Sequence, residues 1–155
     1  MRNPIDVLKI LTEKASVKGY QFERLYRHLY NPDFYLLAYK NIATSPGSIT
    51  TGADGMTIDN TSMARINKIT ASLKDQTYQP NPARRTYIAK KNNLAEKRPL
   101  GIPSTNDKLV QEIIRMILEA IYEPTFSDRS HGFRPKRSCH TALSQIKDTF
   151  SFPVW

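Results

Sequence analysis

Two short stretches of this chain concentrate its cations. Residues 80–98 hold six Lys/Arg (Arg84, Arg85, Lys90, Lys91, Lys97 and Arg98) against the single acid Glu96. Residues 129–147 hold five, with Arg129, Arg134, Lys136 and Arg137 packed closest, and no acid. Elsewhere 12 basic side chains face 13 acidic ones, so the net charge of +9 belongs to these stretches. Cations spaced this closely repel one another, and a densely charged anion offsets that repulsion. A nucleic-acid phosphate backbone is the anion that fits, and arginine's planar fork suits bidentate phosphate contact.

Other chemistries lack their residues. His131, Cys139 and His140 lie near one another, but one Cys and three His in the whole chain do not make a four-ligand zinc site. No Ser-His-Asp set and no paired catalytic carboxylates stand out. The Thr51–Gly55 segment TGADG is no phosphate-binding P-loop, because no Gly-Lys-Ser/Thr follows it. The lone Cys139 forms no internal disulfide, in keeping with a reducing compartment. The first residues, MRNPIDVLKIL, lack the apolar core of a signal peptide. No apolar run approaches the roughly 20 residues of a spanning helix. The reading is a cytoplasmic or nucleoid-associated protein with no membrane partner.

The periodicity supplies the elements that must hold the cations. Ile5, Leu8 and Leu11 mark a helix over 4–15. Phe22, Leu25, Tyr26 and Leu29 mark another over 21–30, ended by Pro32. A third runs over 33–43, capped by Asp33. Residues 45–59 form a Gly-containing loop in which Gly52 and Gly55 serve positive φ or close backbone approach. A flexible connector and a lid are both open readings of it. Met63, Ile66, Ile69 and Leu73 mark a helix over 60–75.

Residues 86–89 and 98–103 read as two strands of a hairpin spanning 84–103, with 90–97 as its basic link and Pro99 at a sheet edge. Residues 106–123 form the most regular helix, capped at Thr105 or Asn106 and stopped by Pro124. Leu109, Ile113, Ile117 and Ile121 make one row. Val110, Ile114, Leu118 and Tyr122 make the next, and this broad face is expected to pack under the hairpin. A basic loop over 128–138 follows, with Phe133 read as core. The last helix, 138–150, is capped by Ser138 and turns Ala142, Leu143 and Ile146 inward. The apolar residues 150–155 read as the start of a strand. The N-terminal third interleaves Arg24, Arg27 and Lys40 with Tyr20, Tyr26, Tyr30 and Tyr39, a pattern suited to single-stranded RNA.

At these residues the chain resembles the reverse transcriptase/maturase proteins encoded by group II introns. KRPLGIP and SHGFRPKRSCHTAL, in that order and separated by such a helix, resemble the first two core polymerase blocks. LYRHLYNPDFYLLAYKNIATSPGSITTGADGMTID resembles the extension that precedes them.

The resemblance implies an α+β fold, the mostly helical fingers subdomain of a right-hand polymerase with a small antiparallel hairpin. It divides the chain into an N-terminal extension over 1–79 and a fingers core over 80–155, truncated before the palm. The catalytic aspartates are then expected beyond Trp155, so the fragment itself is expected to be inactive and to carry no cofactor, with Mg2+ serving the full enzyme. Whether the piece is natural or an expressed fragment stays open.

Lys90 or Lys91, together with Arg98 and Arg134, match triphosphate-binding positions. Arg24, Arg27, Lys40, Arg84, Arg85, Lys97, Lys136 and Arg137 are the RNA-binding candidates. The implied partners are group II intron RNA, an RNA template/cDNA duplex and, in the full enzyme, an incoming dNTP. The alternative is a homodimer assembly module in which RNA binding is secondary.

Overall fold

A computed structural model describes residues 2–91 and 93–150, with the side chains of 93 and 94 left aside. The apolar segment 151–155, read as a strand start, lies outside the described residues. Five helices and one hairpin carry the fold among those residues: α1 (Pro4–Ala15), α2 (Pro32–Ala43), α3 (Met63–Lys74), β1 (Arg84–Lys90), β2 (Asn93–Ile102), α4 (Thr105–Tyr122) and α5 (Cys139–Thr149). The α+β class holds, with a two-stranded antiparallel sheet beside the helices.

Helix starts are set by short polar side chains that satisfy orphan backbone amides. Asn3 caps α1, Ser62 caps α3 and Ser104 caps α4, each side chain accepting from an early helical N–H. Asn31, rather than Asp33, caps α2, because Pro32 opens that helix at its first position. Likewise Ser104 caps α4 in place of Thr105 or Asn106.

Segment 21–30 departs from its expected α-helix. Arg24 is left-handed (φ 54°), and Leu25–Tyr30 wind as a 3-10 helix. Leu29 is still buried, and its carbonyl accepts from the buried Tyr35 hydroxyl at 2.9 Å. The apolar positions were legible; the left-handed break at Arg24 had no signal in their spacing.

One apolar core runs through both halves of the division at residue 79. Val7 and Leu11 of α1, Phe34 and Tyr35 of α2, and Ile66 and Ile69 of α3 join Leu109, Ile113 and Ile117 of α4. The expected packing of α4 beneath the hairpin does not occur. Its Leu109 row, with Met116, is buried against α1 and α2, while Ile114, Leu118 and Tyr122 face outward, 40–54% exposed. Only a stripe of a helix this long is needed to seal the core: Val110 at the start of the second row is buried with it, and the rest of that row is left outward. Helix α5 is placed as expected and capped by Ser138, but it buries no residue: Leu143 and Ile146 are exposed.

Loop 45–59 is docked, which decides against a flexible connector. A Cβ on Gly52 would lie 2.6 Å from the Ser104 Cα and 2.7 Å from the Pro103 carbonyl oxygen. The chain therefore passes where only glycine fits. Lys108 Nζ donates to the Thr50 carbonyl at 2.7 Å and Thr105 Oγ1 to the Met56 carbonyl at 3.0 Å, fastening the loop to the start of α4.

Candidate nucleic-acid interface

The hairpin is longer than its sequence signal. The strands pair from Arg84 opposite Ile102 to Lys90 opposite Asn93, so most of the expected link 90–97 is strand. The polar residues Glu96 and Lys97 hid that extension, because no apolar alternation marks an exposed ribbon.

Residues opposite each other share a face. Arg84, Ile88 and Arg98 therefore lie on the face of Leu100 and Ile102, while Arg85 and Lys97 share the other face with Tyr87. The register irregularity between Ala89 and Lys90 breaks this alternation at the tip.

Ile102 at the root is buried; Arg84, Arg85, Lys90, Lys91, Lys97 and Arg98 are all exposed. Tyr87, Ile88 and Leu100 are exposed beside them. Lys90 is held by Glu96 at 2.5 Å, whereas no ion pair of Lys91, Arg84, Arg85, Lys97 or Arg98 occurs among the described residues. The result is a ribbon with free cations on both faces and apolar surface between them.

The second basic loop is built around Arg134. Its Nη1 donates to the carbonyls of Ser127 (2.7 Å) and Ser130 (2.8 Å), its Nη2 and Nε reach Glu123, and its guanidinium lies 5.3 Å from the Phe126 ring centre. That side chain is 8% exposed. Arg137 donates to the Asp128 carbonyl at 2.5 Å and pairs with its carboxylate at 3.1 Å. His131 fastens the loop to α5 through Thr141 (2.9 Å) and Gln145 (2.6 Å).

Phe133, read as core, stands fully in solvent, with a left-handed backbone at φ 56°. Lys136 is exposed and also left-handed, at φ 59°. Bulky residues rarely adopt this conformation, and here the surrounding hydrogen bonds impose it. The hydrophobicity of Phe133 pointed inward; the demands of Arg134 on nearby carbonyls turned it outward.

Arg24, Arg27 and Lys40 are exposed; Arg24 caps the 3-10 helix that carries Arg27, and Lys40 lies on α2. Arg27 lines a cavity between α1 and residues 20–31, and Lys40 sits on the outer face of α2. Tyr26 and Tyr30 meet edge to face at 5.5 Å, and the Tyr26 hydroxyl donates to the Leu73 carbonyl at 3.1 Å.

A polar hub beneath the hairpin root was missed. Asp107 is 4% exposed and accepts from the Tyr78 hydroxyl (2.6 Å), the Ser104 hydroxyl (2.5 Å) and the Asn81 N–H (3.1 Å). Burial, with the Asp107 carboxylate beside it, pushes the Tyr78 hydroxyl well above its ordinary range. The hub fixes the entry of β1 against the start of α4 and thereby aims the ribbon. Its one signal was an aspartate at the first turn of α4.

The Mg2+ implied for the full enzyme does not fit these residues. Among the described residues no three of His, Cys, Asp or Glu converge, and the Asp107 carboxylate already has its donors. No helix among the described residues is long and apolar enough to cross a membrane.

No protein-family model matches the chain. It is 56% identical over 134 residues to the group II intron-encoded protein LtrA of Lactococcus lactis subsp. cremoris, covering 86% of this chain and 22% of that protein. It is 43% identical over 159 residues to an uncharacterized 91 kDa protein in the cob intron of Schizosaccharomyces pombe, covering 99% of this chain and 19% of that one. A 53-residue stretch, 34% of the chain, is 43% identical to 8% of the mitochondrial nuclear intron maturase 1 of Arabidopsis thaliana. The chain thus spans about a fifth of the length of the first two relatives.

Proposed function

The chain belongs to the group II intron-encoded reverse transcriptase/maturase family, and from that premise we propose that it grips intron RNA and template through the basic hairpin. The observation that carries this reading is the ribbon's exposed cations on both faces, with Tyr87, Ile88 and Leu100 between them. A ribbon of this form can lie along a phosphate backbone while its apolar side chains meet bases or sugars.

Within the longer protein, Arg98 and the tip lysines position the triphosphate of an incoming dNTP for RNA-directed DNA synthesis. Preplaced cations there offset the charge that phosphoryl transfer develops. Lys91 is the readier tip residue, because Lys90 must first part from Glu96. Arg134 has a different standing from the hairpin cations. Its guanidinium holds the second loop in shape, and that loop presents Lys136 and Phe133. Arg24, Arg27 and Lys40 extend the RNA-binding surface over the N-terminal helices, and the setting is the bacterial cytoplasm or nucleoid.

In the complete protein, Arg98→Ala should lower nucleotide incorporation while RNA affinity stays close to that of the parent. Normal incorporation removes the triphosphate role.

A second reading, homodimer assembly, is favoured by the outward row Ile114, Leu118 and Tyr122 on α4. Sedimentation across concentrations decides it: a monomer throughout rejects the dimer, and a concentration-dependent shift supports it.

A further inference from the structure

A cavity of about 530 Å³ lies away from both basic clusters, between α1 and residues 20–31. Its floor is apolar, formed by the core residues Val7 and Leu11. Its walls are aromatic: Tyr20, Phe22 and Tyr30. Tyr20 and Phe22 meet edge to face at 5.0 Å, which holds both rings. Arg2, Lys14 and Arg27 stand around it, with Glu23 as the one acid of the lining. The Lys14 ammonium lies 5.3 Å from the Tyr20 ring centre, so that the cation is held beside the aromatic wall.

A wholly apolar ligand would leave the cations idle, and a bare anion would leave the aromatic walls idle. A ligand with one flat aromatic group and an adjoining phosphate uses both. The size falls within the roughly 300–1,000 Å³ range of small-ligand sites.

We infer that this cavity takes a single unstacked nucleotide of a bound RNA, its base against Tyr20, Phe22 and Tyr30 and its phosphate at Lys14, Arg27 and Arg2. The inference deepens the RNA-binding reading and rests on it. It adds a second point of attachment, remote in sequence from the hairpin, that accepts an unpaired nucleotide and excludes a paired one. Affinity for RNA then depends on a bulged or looped residue as well as on backbone charge.

The test is a titration of the chain with adenosine 5′-monophosphate, followed through the methyl signals of Val7 and Leu11 and the ring signals of Tyr20, Phe22 and Tyr30. Saturable shifts at these groups are expected. Tyr20→Ala should weaken binding about fivefold or more, the low end of what losing one base–aromatic stack does. Ile10→Trp, which fills the cavity from a half-exposed position, should abolish the shifts. Lys14→Glu, at an exposed residue, should weaken them should the Trp variant fold poorly.

Shifts confined to the hairpin, no shifts, or equal shifts with inorganic phosphate alone would overturn the inference. A parallel measurement with an RNA stem-loop separates the two readings. Loss of mononucleotide binding with salt-dependent RNA affinity retained defeats the cavity site alone. Mononucleotide binding with no RNA affinity defeats the RNA-binding function and leaves the cavity site standing.

Discussion

Glu123 and Arg134 join the end of α4 to the second basic loop, with Arg134 Nη2 and Nε both donating to Glu123 Oε1 at 2.8 and 3.0 Å. This pair, with the two carbonyls that Arg134 also binds, decides which residues of the loop reach solvent. Arg134→Gln should therefore act first on folding. The arginine is nearly buried and Glu123 is about a third exposed, so the loss should be about 2 kcal/mol, below the range of a fully buried pair. Urea unfolding checks this; an unchanged midpoint would contradict a structural role for the pair.

Phe133 offers the reverse case. Its side chain makes no buried contact and its backbone is left-handed, so Phe133→Gly should stabilise the chain by about 1 kcal/mol. The same change should weaken RNA binding if the ring stacks on a base. A thermal melt and a binding isotherm on one variant give both answers. A lower melting temperature would show that the ring is held by the fold after all.

Gly52→Ala should destabilise by about 1–3 kcal/mol, because its Cβ meets backbone atoms of Pro103 and Ser104 that have little room to shift. Hydrogen exchange should rise at Thr50–Met56 and at the first turn of α4 together. A rise at the loop alone would mean that the two are not coupled.

His28 sets a pH dependence. Burial, reinforced by the neighbouring Arg27, holds its imidazole below the ordinary value of 6.5. The unfolded chain then binds the proton more readily than the folded one, so stability rises with pH in that window. The contribution is complete above 6.5 and is lost as pH falls through the folded value. The urea midpoint should drop between pH 7 and 5, and His28→Gln should flatten that slope. An unaltered slope in the variant assigns the effect elsewhere.

Much of the scaffold was legible in the sequence, because apolar spacing reports which side chains must leave water. Leu11, Ile66, Leu109 and Ile113 were placed by spacing and are core, whereas Ile5 of the expected α1 stripe is exposed and Val7 is buried instead. What spacing cannot report is how far an exposed element extends or which of two apolar rows is sealed. The ribbon ran beyond its expected strands, and Ile114, Leu118 and Tyr122 stayed outside. The cations of the hairpin were found because charge density is written directly in the residues. The basic loop 128–138 was legible in the same way, but its internal order around Arg134 was not, since that order arises from carbonyls that no side-chain pattern reveals. The cavity beside α1 was hidden for a related reason. Its aromatic residues look like one helical stripe until Arg24 turns left-handed and sets Phe22 and Tyr30 on different segments.

The central claim is that free hairpin cations grip RNA phosphates, and the salt dependence of binding tests it most directly. For the chain with an intron RNA stem-loop, the logarithm of the association constant should fall linearly with that of salt concentration. Removing Arg84, Arg85 or Lys97 singly should make the slope shallower by about 0.7–0.9 each. An affinity that stays flat across salt, or a slope that none of these substitutions alters, would contradict it.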